Sequence, residues 1–234
     1  IAMERTVVPE NFSFRMTDEE YRVLEKIKNS IPVCYLADHA DFALGIVTGN
    51  NKKFLSAEKT EHSEMVLKGT DICKYHINPA KQYLRFEPEQ FQQVAPLEIY
   101  RAPEKLLYRF ISNQLVVAYD DRQMLSLNSC NIVIPKIEGM QIKYILAILN
   151  SSVSQFVYQK EFHSVKVLRA HMERIPIPCA GKEVQNEIIA MTEPLICGMG
   201  KEAAETCQKR LDCRIMDLFR LSAEEQWIIR HALH

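Results

Sequence analysis

No apolar run in this 234-residue chain approaches the roughly 20 residues that a membrane-spanning helix needs. The N-terminus also lacks the basic, apolar, small-residue order of a secretory signal. The two absences point to a soluble protein with a cytoplasmic location and no membrane partner. The seven cysteines (Cys34, Cys73, Cys130, Cys179, Cys197, Cys207 and Cys213) are scattered, and no two stand in a CxxC spacing. Neither a disulfide framework nor a zinc site is expected, and the thiols read as reduced and mostly structural. Cys207 and Cys213, six positions apart in a helical stretch, do not share a face as ligands. No Gly-rich cofactor loop follows a strand, no nucleophile-elbow pattern occurs, and no second acid and lysine complete a nuclease pattern around Asp120-Asp121. The region therefore reads as non-catalytic, with no metal.

With 47% hydrophobic and 25% charged residues, the chain can bury a sizeable core. Its formal net charge of −1 weighs against nucleic-acid binding, because affinity for DNA rests on neutralising phosphates. The distribution of charge says otherwise. Between Asn50 and Arg85 the cations Lys52, Lys53, Lys59, Lys68, Lys74, Lys81 and Arg85 outnumber the acids, and Lys160, Lys166, Arg169 and Arg174 form a second basic stretch. Acids gather at the ends, in Asp18-Glu19-Glu20 and along the C-terminal helices. A basic middle between acidic flanks fits one DNA-facing side.

Local signals divide the chain into 1–31, an N-terminal linker and helix; 32–178, a β-rich core with a central helix; and 179–234, a helical region. Thr17-Asp18-Glu19-Glu20 is a capping box opening a helix to about Ser30, with Tyr21, Leu24 and Ile27 on one stripe. Short β-rich runs follow: 33–37, 44–48, 53–55, 83–86, 106–110, 115–119 and 131–134, with 106–110 and 115–119 as a hairpin. Gln141 to Phe162 has the apolar spacing of one long buried helix. Ile175-Pro176-Ile177-Pro178 forces an extended strap. Helix resumes after Gly181, Leu221-Ser222 stops it, and Ser222 to Glu225 caps a last helix. The class is α+β: a β-rich recognition core, a long buried helix, and a helical C-terminal region.

The most informative stretch is Gly45-Ile46-Val47-Thr48-Gly49-Asn50-Asn51-Lys52-Lys53-Phe54-Leu55, followed by Leu67-Lys68-Gly69-Thr70-Asp71-Ile72. Asn50 and Asn51 are of the type that reads base edges, and Lys52 and Lys53 suit guanine or phosphate. An Asn-rich turn with solvated lysines is the competing reading. Gly45, Gly49 and Gly69 read as structural. Lys68 and Lys74 flank Asp71, either as a surface salt bridge or as cations on DNA with Asp71 holding the loop. Arg101, Arg109 and Arg122 lie around the hairpin, with Arg109 facing solvent and Arg122 free to project. Asn128 and Ser129 precede a strand, where turn roles are usual. The spacing of Lys166 and Arg169 puts both on one helical face, as a phosphate clamp or a solvated surface.

These motifs occur in an order that resembles the TaqI-like and Eco57I-like C-terminal specificity (target-recognition) domains of adenine-specific restriction-modification DNA methyltransferases. GIVTGNNKKFL and LKGTDI are followed by Pro103 to Arg109, Leu127-Asn128-Ser129 before Asn131 to Pro135, Tyr144 to Ser151, the Ile-Pro-Ile-Pro strap and Leu211 to Glu225. One departure is Arg220, where the family often has Gly. The resemblance implies binding to double-stranded DNA through Asn50, Asn51, Lys52, Lys53, Lys68, Lys74, Arg101, Arg122, Asn128, Lys166 and Arg169. It implies a type II system, methylase-nuclease fusions included, with an N-terminal methyltransferase domain of the same chain as partner. S-adenosylmethionine is expected in that domain and no cofactor in this region. The Asn/Asp-Pro-Pro-aromatic motif of the chemistry is absent here. The first residues, Ile1-Ala2-Met3, fit a longer protein cut at this point. The alternatives are half of a type I specificity subunit, a protein-interaction module without a DNA role, and an enzyme in its own right.

Overall fold

The computed structural model describes residues 16–162 and 164–233. Its helices are α1 (Asp18–Asn29), α2 (Asn51–Phe54), α3 (Leu97–Tyr100), α4 (Ile142–Asn150), α5 (Ser152–Glu161), α6 (Arg169–Met172), α7 (Lys182–Ile196), α8 (Lys201–Leu218) and α9 (Ala223–Ala232). Its strands are β1 (Val33–Cys34), β2 (Ala40–Ala43), β3 (Leu55–Ser56), β4 (Glu64–Leu67), β5 (Tyr83–Leu84), β6 (Lys105–Arg109), β7 (Val117–Asp120), β8 (Leu125–Ser126), β9 (Cys130–Pro135) and β10 (Ile177–Pro178). The class is α+β. Among the described residues no helix is long and apolar enough to cross a membrane.

The central element is an antiparallel sheet in the order β2-β9-β6-β7. The expected hairpin, β6 with β7, forms one side of it, with Lys105 opposite Asp120 and Tyr108 opposite Val117. Alternate residues of these strands enter two different cores. Leu106, Tyr108, Val117, Tyr119 and Val133 pack into the larger one with the helices. Leu107, Ala118 and Ile132 pack into the smaller one, under a second sheet ordered β3-β5-β4-β8. Both faces are covered, so the strands read as continuous apolar runs rather than as alternation. Burying one of these Leu or Ile side chains stabilises by roughly 1.5–3 kcal/mol.

The helical layer is built from α4, with α7 against it and α8 against α7, and from α5, which meets α8 and α9. The apolar segment from Gln141 onward forms two helices rather than one. Ser151 has an extended ψ of 158°, ends α4, and caps α5 by accepting from the Ser154 N–H. The helical stretch after Gly181 is likewise broken, at Gly198, whose φ is +75°. In α1 the capping box forms as expected, but the buried stripe is Val23, Leu24 and Ile27, while Tyr21 is 42% exposed. Lys53 and Phe54, expected in a strand, lie in the helical turn α2, which Asn50 caps.

The last helical junction shows what the Gly departure costs. The Arg220 N–H reaches the Asp217 carbonyl and the Leu221 N–H reaches back to Met216, closing the end of α8 as a left-handed cap. Arg220 supplies the left-handed residue with a φ of +55°, a region that costs a side-chain-bearing residue about 1–2 kcal/mol. Its side chain is exposed, so nothing else is lost on removing it. Arg220→Gly relieves that strain against a smaller gain in unfolded-state entropy. The expected result is a stabilisation of about 0.5–1 kcal/mol, read as a rise of a few degrees in the thermal midpoint.

Candidate nucleic-acid interface

Three segments distant in sequence are knitted together by their backbones. Ile46 donates to the Ser126 carbonyl, Asn128 donates to that of Ile46, and Leu127 donates to that of Leu67. The Gly69 N–H is held by the Ser129 hydroxyl at 3.0 Å. Glycine is required twice at this crossing. A Cβ on Gly45 would stand 2.1 Å from the Leu127 carbonyl oxygen, and one on Gly69 would stand 2.5 Å from that of Ser129. The loops at 45–55, 67–72 and 127–129 therefore form one surface.

On that surface Asn50 and Asn51 hold the turn they belong to. The Asn50 Oδ1 accepts from the Lys53 N–H at 3.2 Å, and the Asn51 Oδ1 accepts from the Thr48 hydroxyl at 2.6 Å. Both residues are exposed. Gly49 has a φ of +76° and abuts Gln92. Lys53 donates to Gln90 and lies over the Phe54 ring, whereas Lys52 and Asn128 are exposed and carry no side-chain hydrogen bond. Asp71 is buried and accepts from the Lys68 backbone N–H, so it holds the loop through the main chain.

The sequence reading passed over Gln90, Gln92 and Gln93, exposed amides on the segment that pairs with Val47. Three glutamines around one phenylalanine were the signal. From Gln93 a shallow groove of about 600 Å³ runs along Ala40 to Leu44 and ends at Arg169. Arg169 sits over the Phe42 ring and pairs with Glu173 at 2.6 Å. Lys166 is exposed beside Phe110, whose backbone N–H bonds the Ser129 carbonyl, so this second basic stretch adjoins the first. The two cations do not share a helical face: Lys166 is extended opposite Ile111, and α6 begins only at Arg169.

Three other arginines and one lysine are placed elsewhere. Arg109 does not face solvent but donates to the carbonyls of Gly69 and Ile72, bracing the loop. Arg101 bridges Glu64 and the Gln123 carbonyl. Arg122 projects freely from a turn whose N–H groups, those of Arg122 and Met124, are capped by Asp120. Lys74 turns toward the helices, donating to the Asn150 carbonyl, and burial lowers its pKa while nearby Asp212 opposes that shift. Among the described residues no cluster of His, Cys, Asp and Glu could hold a metal ion.

Beneath the Arg122 turn lies a fully buried ion pair, Lys105 with Asp120 at 2.5 Å. The lysine also donates to the Tyr100 carbonyl. Burial lowers the Lys105 pKa and Asp120 acts against that shift. Lys105→Met leaves the buried carboxylate uncompensated, with an expected loss of about 3–5 kcal/mol in chemical denaturation. Gly45→Ala drives a methyl into a backbone carbonyl, and a loss of at least about 2 kcal/mol is expected by the same measurement.

Residues 64–177 match the family described as the TaqI-like C-terminal specificity domain. No curated protein matches the sequence. Among solved structures, the type IIL restriction-modification enzyme MmeI in complex with DNA aligns with a TM-score of 0.57 at 10% identity, over 84% of this chain and 35% of that one. At that identity the likeness is one of fold. The type IIG restriction endonuclease BpuSI aligns at 0.47 and 9% identity, over 87% of this chain and 33% of its own. The HsdS subunit from Thermoanaerobacter tengcongensis aligns at 0.44 and 14%, over 92% and 50%. This chain thus spans half or less of each of those proteins. The family match, over residues 64–177, takes in just under half of the chain.

Proposed function

We propose that this chain reads duplex DNA for an adenine-specific methyltransferase of a type II restriction-modification system, methylase-nuclease fusions included. The observation that carries the proposal is the backbone-locked crossing of three loops, two of them inside the matched residues 64–177, with Lys52 and Lys166 exposed beside them. In this reading S-adenosylmethionine and the chemistry belong to a methyltransferase domain N-terminal to this region, and the protein acts in the cytoplasm. The recognition domain contributes register and sequence choice.

The residues divide by what their surroundings leave free. Lys52 and Lys166 are exposed and meet no carboxylate among the described residues, so both are available to phosphate. Arg169 is shared with Glu173, and Lys53 with Gln90. Bidentate pairing of an Asn with adenine needs the side-chain oxygen as well as the nitrogen. In Asn50 and Asn51 that oxygen already holds the turn, so these residues serve best as donors to guanine O6 or N7, or to thymine O4. Asn128, Gln92 and Gln93 keep both ends free and are the stronger adenine readers.

Each phosphate contact contributes about one unit to the log–log dependence of affinity on salt. Titrating duplex DNA at several salt concentrations should give steep weakening, reduced by about one unit in Lys52→Ala and in Lys166→Ala, and by less in Arg169→Ala. Affinity that ignores salt and both lysine changes overturns the DNA reading and favours a protein-interaction module. In the full-length enzyme, Asn128→Ala should relax the methylated sequence at one position, a discrimination of about 1–3 kcal/mol, read by sequencing the modified sites.

A further inference from the structure

Cys34 and Cys179 stand 145 positions apart in sequence, yet their Sγ atoms are 2.8 Å apart. The contact is built by a two-stranded ladder. Val33 lies opposite Pro178, Cys34 lies opposite Ile177, and the Cys179 N–H donates to the Pro32 carbonyl. Cys179 is exposed and Cys34 half-buried, so a small solute reaches the pair. The other cysteines have different neighbours. Cys130 is fully buried among sheet residues, Cys73 accepts from Asn78, Cys207 donates to the Met191 carbonyl, and Cys213 accepts from Arg230.

We infer that Cys34 and Cys179 are a reversible redox pair, which a hydroperoxide closes into a disulfide and a thiol reductant reopens. One sulfur, as its thiolate, attacks a peroxide oxygen and becomes a sulfenic acid as the O–O bond breaks. The second sulfur displaces the sulfenic oxygen, which leaves as water while the S–S bond forms. In sum, two thiols and one hydrogen peroxide give one disulfide and two waters, with two electrons passing from sulfur to peroxide. The ladder supplies the placement that makes the second step intramolecular. Burial, with the Cys34 thiol beside it, raises the Cys179 pKa and so lowers the fraction of that sulfur present as thiolate.

The bond would enclose the recognition core in one covalent ring. Every strand of both larger sheets lies between residues 34 and 179, while α1, α7, α8 and α9 lie outside. Closing a long loop removes disorder from the unfolded chain, so oxidation raises thermal stability.

The chain is treated with hydrogen peroxide, then alkylated and digested under non-reducing conditions. The inference predicts loss of two of the seven thiols, a cross-linked peptide joining Cys34 to Cys179, and a thermal midpoint raised by several degrees that dithiothreitol reverses. Cys34→Ser and Cys179→Ser should each abolish both the cross-link and the shift. Mapping of the unsubstituted chain decides the matter even where a variant folds poorly. Separate sulfinic acids at the two positions, pairing among other cysteines, or a cross-link without a stability change overturns the inference.

Discussion

Two buried amides join the helical layer to the central sheet that carries the three crossing loops. β7 is the outer strand of the central sheet, and its backbone needs partners in a dry interior. Asn150 supplies them at Val117, accepting from its N–H at 3.1 Å and donating to its carbonyl at 2.8 Å. Gln155 does the same at Leu115, at 2.9 and 3.0 Å. The two side chains act as a short stand-in strand, and Tyr75 completes the edge by pairing with Val117 and Tyr119. Asn150 sits at the end of α4 and Gln155 in α5, so the break at Ser151 sets the angle at which both reach the sheet. A hydrophobic contact could slide; four directional hydrogen bonds fix the register of helices on strands.

That register is carried through the sheet to the surface. The Lys105–Asp120 pair fixes the far end of the hairpin and, through the Asp120 caps, the turn bearing Arg122. Arg109, in the same strand as Lys105, reaches the carbonyls of Gly69 and Ile72 and holds the second loop. Gly45 and Gly69 then let two chains cross the Leu127–Ser129 segment at a distance no side chain permits. The exposed amides and lysines of these loops are thus kept in position by charged and small residues that are buried or half-buried.

What was legible in the sequence was local. Thr17 and Ser222 announce their helices because a capping box is complete within four residues. The hairpin was legible because its two runs and its loop are contiguous. The Ser151 break was not, since neither Pro nor Gly marks it and only the short polar run Asn150-Ser151-Ser152 interrupts the apolar pattern; the Ser151 hydroxyl caps α5, and the partner of the Asn150 amide lies in a distant strand. The strands Ala40–Ala43, Glu64–Leu67 and Leu125–Ser126 were missed because each is short and owes its extension to a distant neighbour. Arg109 looked solvent-facing because its acceptors are backbone carbonyls about forty positions away, which no composition reveals. The Gly45 and Lys68 loops were linked in the sequence only through their order in a family resemblance; in space both meet the segment Leu127 to Ser129.

We propose that the surface around Asn50 to Lys53, Asn128 and Lys166 is the one that meets DNA. Mass-spectrometric mapping of lysine acetylation, with and without duplex, tests it residue by residue. DNA should protect Lys52, Lys53 and Lys166, while Lys182, Lys201 and Lys209 on the C-terminal helices react unchanged. Protection confined to those helices, with Lys52 and Lys166 as reactive as in the free chain, would contradict it.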